Sequence, residues 1–438
     1  METNISQQQA AIAATALPQL SPETTPTRDA KPIRFLVTIF ILTRILIYVT
    51  AYFGMNLFSF YDHPSDYKEA GWPGSQEQMM LIETEMLETK VPIRKTFMTA
   101  DTFAYVNMAE SGYDNYKIDE PHPPANWVFF PMFPLAMRAV MEITPSSLDP
   151  IAIGLILSNL FLLAAMIFFY KIAILRGLKD MHARIVVCLL LIAPAALFFA
   201  VPYTESLFLM LALGAVYFSM TRNWLPAFLL AGLTTVTRNV GAVIFLYTFC
   251  SMLLHKGIWR FHWRDWRLLL YVLLGCVPLA SYLGYMKWLT GDFLAPLNEQ
   301  INWGRHTTLP FVSYIRYLKH PYFGTSSGWE NGLISFAIAT AVLLVFIAYA
   351  LVKRGKLFKS GQELLLYGTG LLLVIIPFSS GEHLASIPRY MTVCFPFYLY
   401  LVEMLRRQLT AVAGYALFSF MFHFIFIIGY FNRYLFVF

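Results

Sequence analysis

Asp101 opens the run Asp101-Thr-Phe-Ala-Tyr-Val-Asn-Met-Ala-Glu-Ser-Gly112-Tyr113, whose spacing predicts a short helix ended at Gly112. An aspartate there has a structural use as an N-cap. The helix dipole also keeps such a carboxylate ionised, which a general base requires before it accepts a proton. Glu205, in Pro202-Tyr203-Thr-Glu-Ser206, begins a second helix and admits the same pair of readings, a cap or a ligand for a polar substrate. Arg238 lies in Thr237-Arg-Asn239-Val-Gly241, a break between two apolar runs. An ionisable group at that depth faces the protein interior and needs a partner. Arg389, in Ser386-Ile-Pro-Arg-Tyr390, reads as an interfacial residue or as a second anion receptor, and Arg44 either snorkels or pairs. A guanidinium fork is the natural receptor for a phosphate. Arginines beside an essential carboxylate therefore point to chemistry on a lipid phosphate.

Aromatic and polar segments supply the rest of a candidate site. Trp127-Val-Phe-Phe130-Pro-Met-Phe-Pro134 serves either as an interfacial belt or as a surface on which a sugar stacks. The segment Gly291 to Arg305 brings Gln300, Trp303 and Arg305, as an acceptor contact or as plain surface loop. His63, His122, His306 and His383 show no ligand spacing. Cys188, Cys250, Cys276 and Cys394 all fall inside apolar runs, so neither a metal site nor a disulfide framework is indicated.

The elements that must position these residues are membrane helices. Of 438 residues 58% are hydrophobic and 13% charged, more apolar surface than one soluble core of this size hides. Apolar runs fit an all-α polytopic protein of about eleven transmembrane helices: Ile33–Phe53, Ile151–Ile174, Ile185–Val201, Ser206–Met220, Leu225–Thr237, Val240–Leu254, Leu268–Trp288, Leu333–Val352, Leu364–Phe378, Met391–Leu405 and Ala411–Tyr430. Treating Leu225–Leu254 as two crossings gathers Lys171, Arg176, Lys256, Arg267, Lys353, Lys356, Arg406 and Arg407 on one side, as the positive-inside bias requires. The N-terminus is then cytoplasmic, and extracytoplasmic loops cover about 56–144, 290–332 and 379–390. Residues 1–30 read as a disordered cytoplasmic tail without a signal peptide, and 31–438 as a single membrane domain. Ser75–Lys90 suits a helix lying on the membrane surface. The formal charge of +6 resides in short loops and calls for no nucleic acid. No duplication suggests a transporter, although a flippase for a lipid-linked sugar or a non-catalytic scaffold would use the same residue types.

Taken in order, Asp101 with Gly112-Tyr113, Phe129 to Pro134, Tyr203-Thr-Glu-Ser206, Thr237-Arg-Asn-Val-Gly241, Gly291-Asp292 to Gln300, Trp303-Gly-Arg305 and Pro388-Arg-Tyr390 with Phe395-Pro396 resemble the PIG-V family. These are GPI mannosyltransferases and their prokaryotic relatives, within the GT-C membrane glycosyltransferases. The resemblance implies an essential acid in the first large loop, here Asp101. The family usually has an aromatic residue just before it, where this chain has Ala100. It also implies a polyprenyl- or dolichyl-phosphate sugar donor, inverting transfer of a hexose such as mannose, and a lipid or glycan acceptor. With Asp101 as base, Arg238, Arg389, Glu205, Tyr203 and Asn239 would hold donor phosphate and substrate, and Trp127, Phe130, Gln300, Trp303 and Arg305 would touch sugar or acceptor. No cofactor is obligatory on this reading. The membrane expected is the bacterial inner membrane, with the endoplasmic reticulum as the alternative; the one glycosylation sequon, Asn4-Ile-Ser6, lies in the tail.

Overall fold

A computed structural model describes residues 30–58, 97–144, 148–257, 265–323, 331–379, 381, 384 and 386–434. The tail to residue 29, the surface helix expected at Ser75–Lys90, and His63 and His383 lie outside the described residues. Among the described residues every extended element is a helix: α1 Ala30–Leu57, α2 Asp101–Ser111, α3 Met132–Ile143, α4 Pro150–Leu175, α5 Asp180–Leu191, α6 Glu205–Met220, α7 Trp224–Thr235, α8 Gly241–Lys256, α9 Trp266–Thr290, α10 Ala295–Asn298, α11 Val312–Lys319, α12 Gly332–Val352, α13 Arg354–Lys359, α14 Gly361–Ile375, α15 Ile387–Thr392, α16 Phe395–Leu405 and α17 Leu409–Phe431. Short 3-10 turns connect several of them.

The helix boundaries follow local chemistry. Asp149 accepts a hydrogen bond from the Ile151 N–H at 2.7 Å, and Pro150 takes the first turn of α4, where no N–H partner is needed. Asn331 caps α12 through Ile334 N–H at 2.8 Å, and Ser360 caps α14 through Glu363 N–H at 3.3 Å. Among the described residues six helices, α1, α4, α9, α12, α14 with its 3-10 extension, and α17, are long and apolar enough to cross a membrane. α4, at 26 residues, spans roughly 39 Å at about 1.5 Å per residue, more than the ~30 Å of a hydrocarbon core. Four apolar helices are shorter: α6, α7, α8 and α16.

The short helices lie where neighbours cover the backbone between them. The run expected as a continuous span at Ile185–Val201 is instead a helix only to Leu191. Pro194 lacks an N–H, and the chain proceeds to Thr204 through turns and a 3-10 turn at Ala196–Phe199, nearly all of it buried. Irregular backbone at membrane depth is tolerated when protein surrounds it. Met391–Leu405 divides in the same way, with α15 ending at Thr392 and α16 starting at Phe395 under Pro396.

α7 and α8 pack against each other along their length and are joined by the break at 236–240. Gly241 makes that close return feasible, because a Cβ there would overlap the Thr234 carbonyl, and the Thr234 hydroxyl donates to the Gly241 carbonyl at 2.9 Å. A second glycine approach, Gly232 against the Gly275 backbone, seats α7 on α9. One apolar core runs among α4, α5, α6, α12, α14 and α16. Another packs α1, α2, α3, the 196–199 turn and the end of α17, and it supports the end of the bundle where the loop segments converge.

Candidate active site

Four charged residues from four distant stretches of chain meet at that loop end. Asp101 follows Ala100, whose φ of 47° is in the left-handed region a side chain disfavours. Ala100 occupies the N-cap position of α2, and no side chain caps the helix. The expected capping role for Asp101 is therefore not what the structure contains. Its Oδ2 instead accepts from Arg389 Nη1 at 2.6 Å, since a full opposite charge outcompetes a backbone N–H for a carboxylate.

Glu205 is likewise the first residue of α6 and makes no cap. It is 1% exposed, and its Oε1 receives the Arg238 Nη1 and stands 3.2 Å from Arg389 Nε. Arg238 Nη1 also donates to Thr204 Oγ1 at 3.1 Å. Arg389 thus bridges both carboxylates, and Glu205 bridges both guanidiniums. The chain Asp101–Arg389–Glu205–Arg238 carries two charges of each sign, the balance that makes burying them tolerable. It is not saturated, because Glu205 Oε2 and Arg238 Nε are buried without a hydrogen-bond partner.

Aromatic rings wall this chain of charges. The Arg389 guanidinium lies over Phe198, Tyr203 and Tyr390 at 5.6, 5.5 and 5.7 Å from the ring centroids, and Arg238 lies over Tyr390 at 5.2 Å. Tyr203 is fully buried and donates to the Thr99 carbonyl at 3.4 Å, so it acts as a wall. Burial would lower the Arg389 pKa, yet the charges of Asp101 and Glu205 hold it well above the usual arginine value. Tyr390 behaves in the opposite sense from an ordinary buried phenol. Burial pushes its pKa up, but the cations Arg389, Arg238 and Arg305 bring it below the usual tyrosine value. On α2, the Tyr105 phenol is driven up, by burial first and then by Asp101 and Glu205, and remains a proton-bearing donor.

The other expected contacts separate into rim and scaffold. Arg305 is exposed, and its charge reaches Tyr390, which puts it at the rim. Phe130 is half-buried beside Tyr282 at 5.9 Å. Trp127, expected to contact a sugar, is fully buried, its indole N–H donating to the Asp114 carbonyl at 2.8 Å, with no face open for stacking. Trp303 donates to the Ala125 carbonyl at 2.8 Å and sets its edge against Phe129, and Gln300 donates to the Pro296 carbonyl at 3.2 Å. Asn239 is exposed, with Oδ1 accepting from its neighbour Val240 N–H at 2.8 Å. Trp127, Gln300 and Asn239 are committed to their own loops, and Trp303 ties the loop after α9 to the loop after α2.

Two residues the sequence reading passed over take part. Tyr390, adjacent to Arg389 in the Pro-Arg-Tyr motif, touches both guanidiniums. Glu299 is 1% exposed; it accepts the Ala125 N–H at 2.7 Å and the Asn302 side-chain amide at 3.0 Å, and stands 3.8 Å from His122. It fastens the loop after α9 to the loop after α2. Nothing in Asn298-Glu-Gln300 distinguishes it from surface.

Among the described residues no group of three or more His, Cys, Asp or Glu is placed to hold a metal ion. The arrangement offers a carboxylate able to take a proton beside guanidiniums able to receive an anion, the pairing a group transfer from a phosphate requires. A family model described as mannosyltransferase (PIG-V) matches residues 34–294, well over half of the chain, including Asp101, Glu205 and Arg238 and ending before Arg389. No curated protein matches the chain.

Proposed function

We propose the following reaction for this chain, which belongs to the PIG-V mannosyltransferase family and is a multi-pass membrane glycosyltransferase. A hexose, mannose first among candidates, passes from a polyprenyl- or dolichyl-phosphate donor to a hydroxyl of a membrane-associated lipid or glycan acceptor. Asp101 takes the acceptor hydroxyl's proton as its oxygen bonds to the anomeric carbon. The bond from that carbon to the phosphate oxygen breaks, and the electron pair leaves with the lipid phosphate. Attack opposite the leaving group inverts the anomeric centre. Arg389 and Arg238 receive the departing charge, Glu205 orients sugar or acceptor, and Arg305 stands at the entrance.

The observation that carries this reading is the unbroken ion-pair chain from Asp101 through Arg389 and Glu205 to Arg238. It joins two carboxylates and two guanidiniums at the loop end of an apolar bundle, which supports reading Asp101 as proton acceptor and the arginines as phosphate receptors. Counting α5 and the four shorter helices with the six long ones gives eleven crossings, with the site on the extracytoplasmic side and the N-terminus in the cytoplasm. The membrane we favour is a bacterial inner membrane, and the endoplasmic reticulum is the alternative. Guanidiniums supply the leaving-group stabilisation, so no divalent ion is required. Activity is expected to persist in EDTA, and loss on chelation with recovery on adding a divalent ion would overturn that point.

The deciding experiment is sugar transfer by purified protein in lipid nanodiscs, from radiolabelled polyprenyl-phosphate mannose to a membrane extract. Wild type is expected to yield labelled product, and a folded Asp101→Asn variant to yield none above background. Full activity in the variant would remove Asp101 as the base. Movement of the donor across sealed vesicles without any glycosylated product would replace transfer with transport.

A further inference from the structure

From the end of α9 to the end of α11 the chain turns large apolar side chains outward. Trp288 is 75% exposed, Leu297 63%, Ile301 62% and Leu309 77%. The pattern is periodic. Leu294, Leu297 and Ile301 follow helical spacing through α10 and the turn after it, while Ala295, Pro296 and Glu299 face inward and are buried. In α11, Val312, Ile315 and Leu318 share the outward side and Ser313 and Tyr317 the inward side. An apolar patch of this extent does not rest in water; it marks a contact surface.

Two observations identify what covers it. The first is continuity: the stripe begins at Trp288, on the last turn of α9, a helix most of whose apolar surface is unburied and therefore lipid-facing. A Trp at the end of such a helix sits at the membrane–water boundary, so the chain that follows starts at that level. The second is charge. Arg305, Arg316 and Lys319 are exposed within the stripe, whereas of its two acids Glu299 is buried and Asp292 is hydrogen-bonded to Asn298. Apolar residues interleaved with cations fit an anionic lipid surface.

We propose that Asp292–Lys319 is a membrane-docked platform. Leu297, Ile301, Val312, Ile315 and Leu318 enter the acyl region of the leaflet nearest the ion-pair chain, and Arg316 and Lys319 lie among anionic headgroups. The platform passes Arg305 at the rim of the site, so a substrate lodged in that leaflet reaches the guanidiniums by sideways diffusion without leaving lipid. The docking itself does not depend on the proposed reaction.

The test uses the full-length protein with its four cysteines replaced by alanine, carrying a nitroxide on Leu297→Cys or Ile315→Cys, in nanodiscs of phosphatidylcholine with phosphatidylglycerol. Spin relaxation by oxygen, which concentrates in acyl chains, is expected to exceed that by a water-soluble nickel chelate at both positions. Adding Arg316→Glu and Lys319→Glu is expected to raise chelate access at 315 in the anionic nanodiscs and to change it little in pure phosphatidylcholine. Leu309→Cys supplies a third position outside either helix should one label disturb folding. Free access of the chelate would place the stripe in water, and exclusion of both reagents would indicate a protein contact such as a second copy; either result overturns the proposal. None of these readouts requires sugar transfer, so the platform and the reaction stand or fall separately.

Discussion

The described residues hold two largely buried charge clusters, one at each end of the bundle, with the same charge balance and different construction. At the end away from the site, Arg176 reaches Glu363 at 2.9 Å and Glu403 at 3.0 Å, and Lys356 meets Glu403 at 2.5 Å. The Tyr349 hydroxyl donates to Glu403 at 3.3 Å. These side chains issue from regular helices or their ends and tie α4, α12, α13, α14 and α16 together, with Lys356 partly in solvent. At the site end the charges issue from first turns and breaks, Asp101, Glu205, Arg238 and Arg389, and are walled by Tyr203, Tyr390 and Phe198. The first cluster holds helices in register. The second sits on helix starts and a chain break and is walled by aromatic rings. Two clusters alike in composition therefore do different work, and the backbone beneath each tells them apart.

The widest separation is expected from Asp101→Asn, which keeps the shape and removes the proton acceptor. Initial rates of sugar transfer should fall by about 10²- to 10⁴-fold, the usual share of a general base. The thermal unfolding midpoint should drop less than Glu403→Ala makes it drop, because Arg389 keeps its ion pair with Glu205 and asparagine keeps an acceptor oxygen. Glu403→Ala should do the reverse. It strips Arg176 and Lys356 of a buried partner at a cost of about 3–5 kcal/mol, read as a lower unfolding midpoint while transfer per folded molecule is preserved. A large loss of specific activity would mean that the far cluster is coupled to the chemistry. Arg389→Lys keeps the charge but not the fork. Weaker donor binding, by about tenfold in KM, corresponds to losing a charge-assisted hydrogen bond of ~1.5 kcal/mol, and an unchanged KM would count against donor-phosphate contact. The smallest effect belongs to Tyr390→Phe, whose ring still faces both guanidiniums, whereas Tyr390→Leu should cost about 0.5–2 kcal/mol of transition-state binding. Equal rates for the two would remove the ring from the argument.

Only the site end of this contrast is legible in the sequence; at the far end Arg176 and Lys356 read as loop charges, and nothing marks Glu363 or Glu403 as their partners. An Arg between two apolar runs has few benign uses, which singles out Arg238, whereas Asp101, Glu205 and Arg389 stand out only as helix starts and motif members with a cap or interfacial reading beside the functional one. Their mutual contact was not legible, since it depends on how α2, α6, the 236–240 break and α15 converge. The six long helices follow from hydropathy alone. The Ile185–Val201 run misleads because Ala193-Pro-Ala-Ala is as apolar as a helix, and hydropathy does not register the missing N–H of Pro194, near which this run leaves the helix although α9 runs on through Pro278. Trp127 misleads for the opposite reason: an indole suited to a sugar is equally suited to a core that offers its N–H a carbonyl, here that of Asp114. Glu299 carries no signal at all, because burial of a glutamate within a polar run is decided by the loop that folds over it.

Position 241 shows how poorly the size of a substitution forecasts its reach. It bears no functional group and contacts no charge, yet the Thr234 carbonyl occupies the space its first carbon would need. One added methyl must push the 236–240 break outward, and Arg238 goes with it. Ranked by chemical severity alone, Gly241→Ala is among the mildest exchanges the chain could undergo. Its weight lies in the backbone it displaces, which carries a guanidinium three residues away.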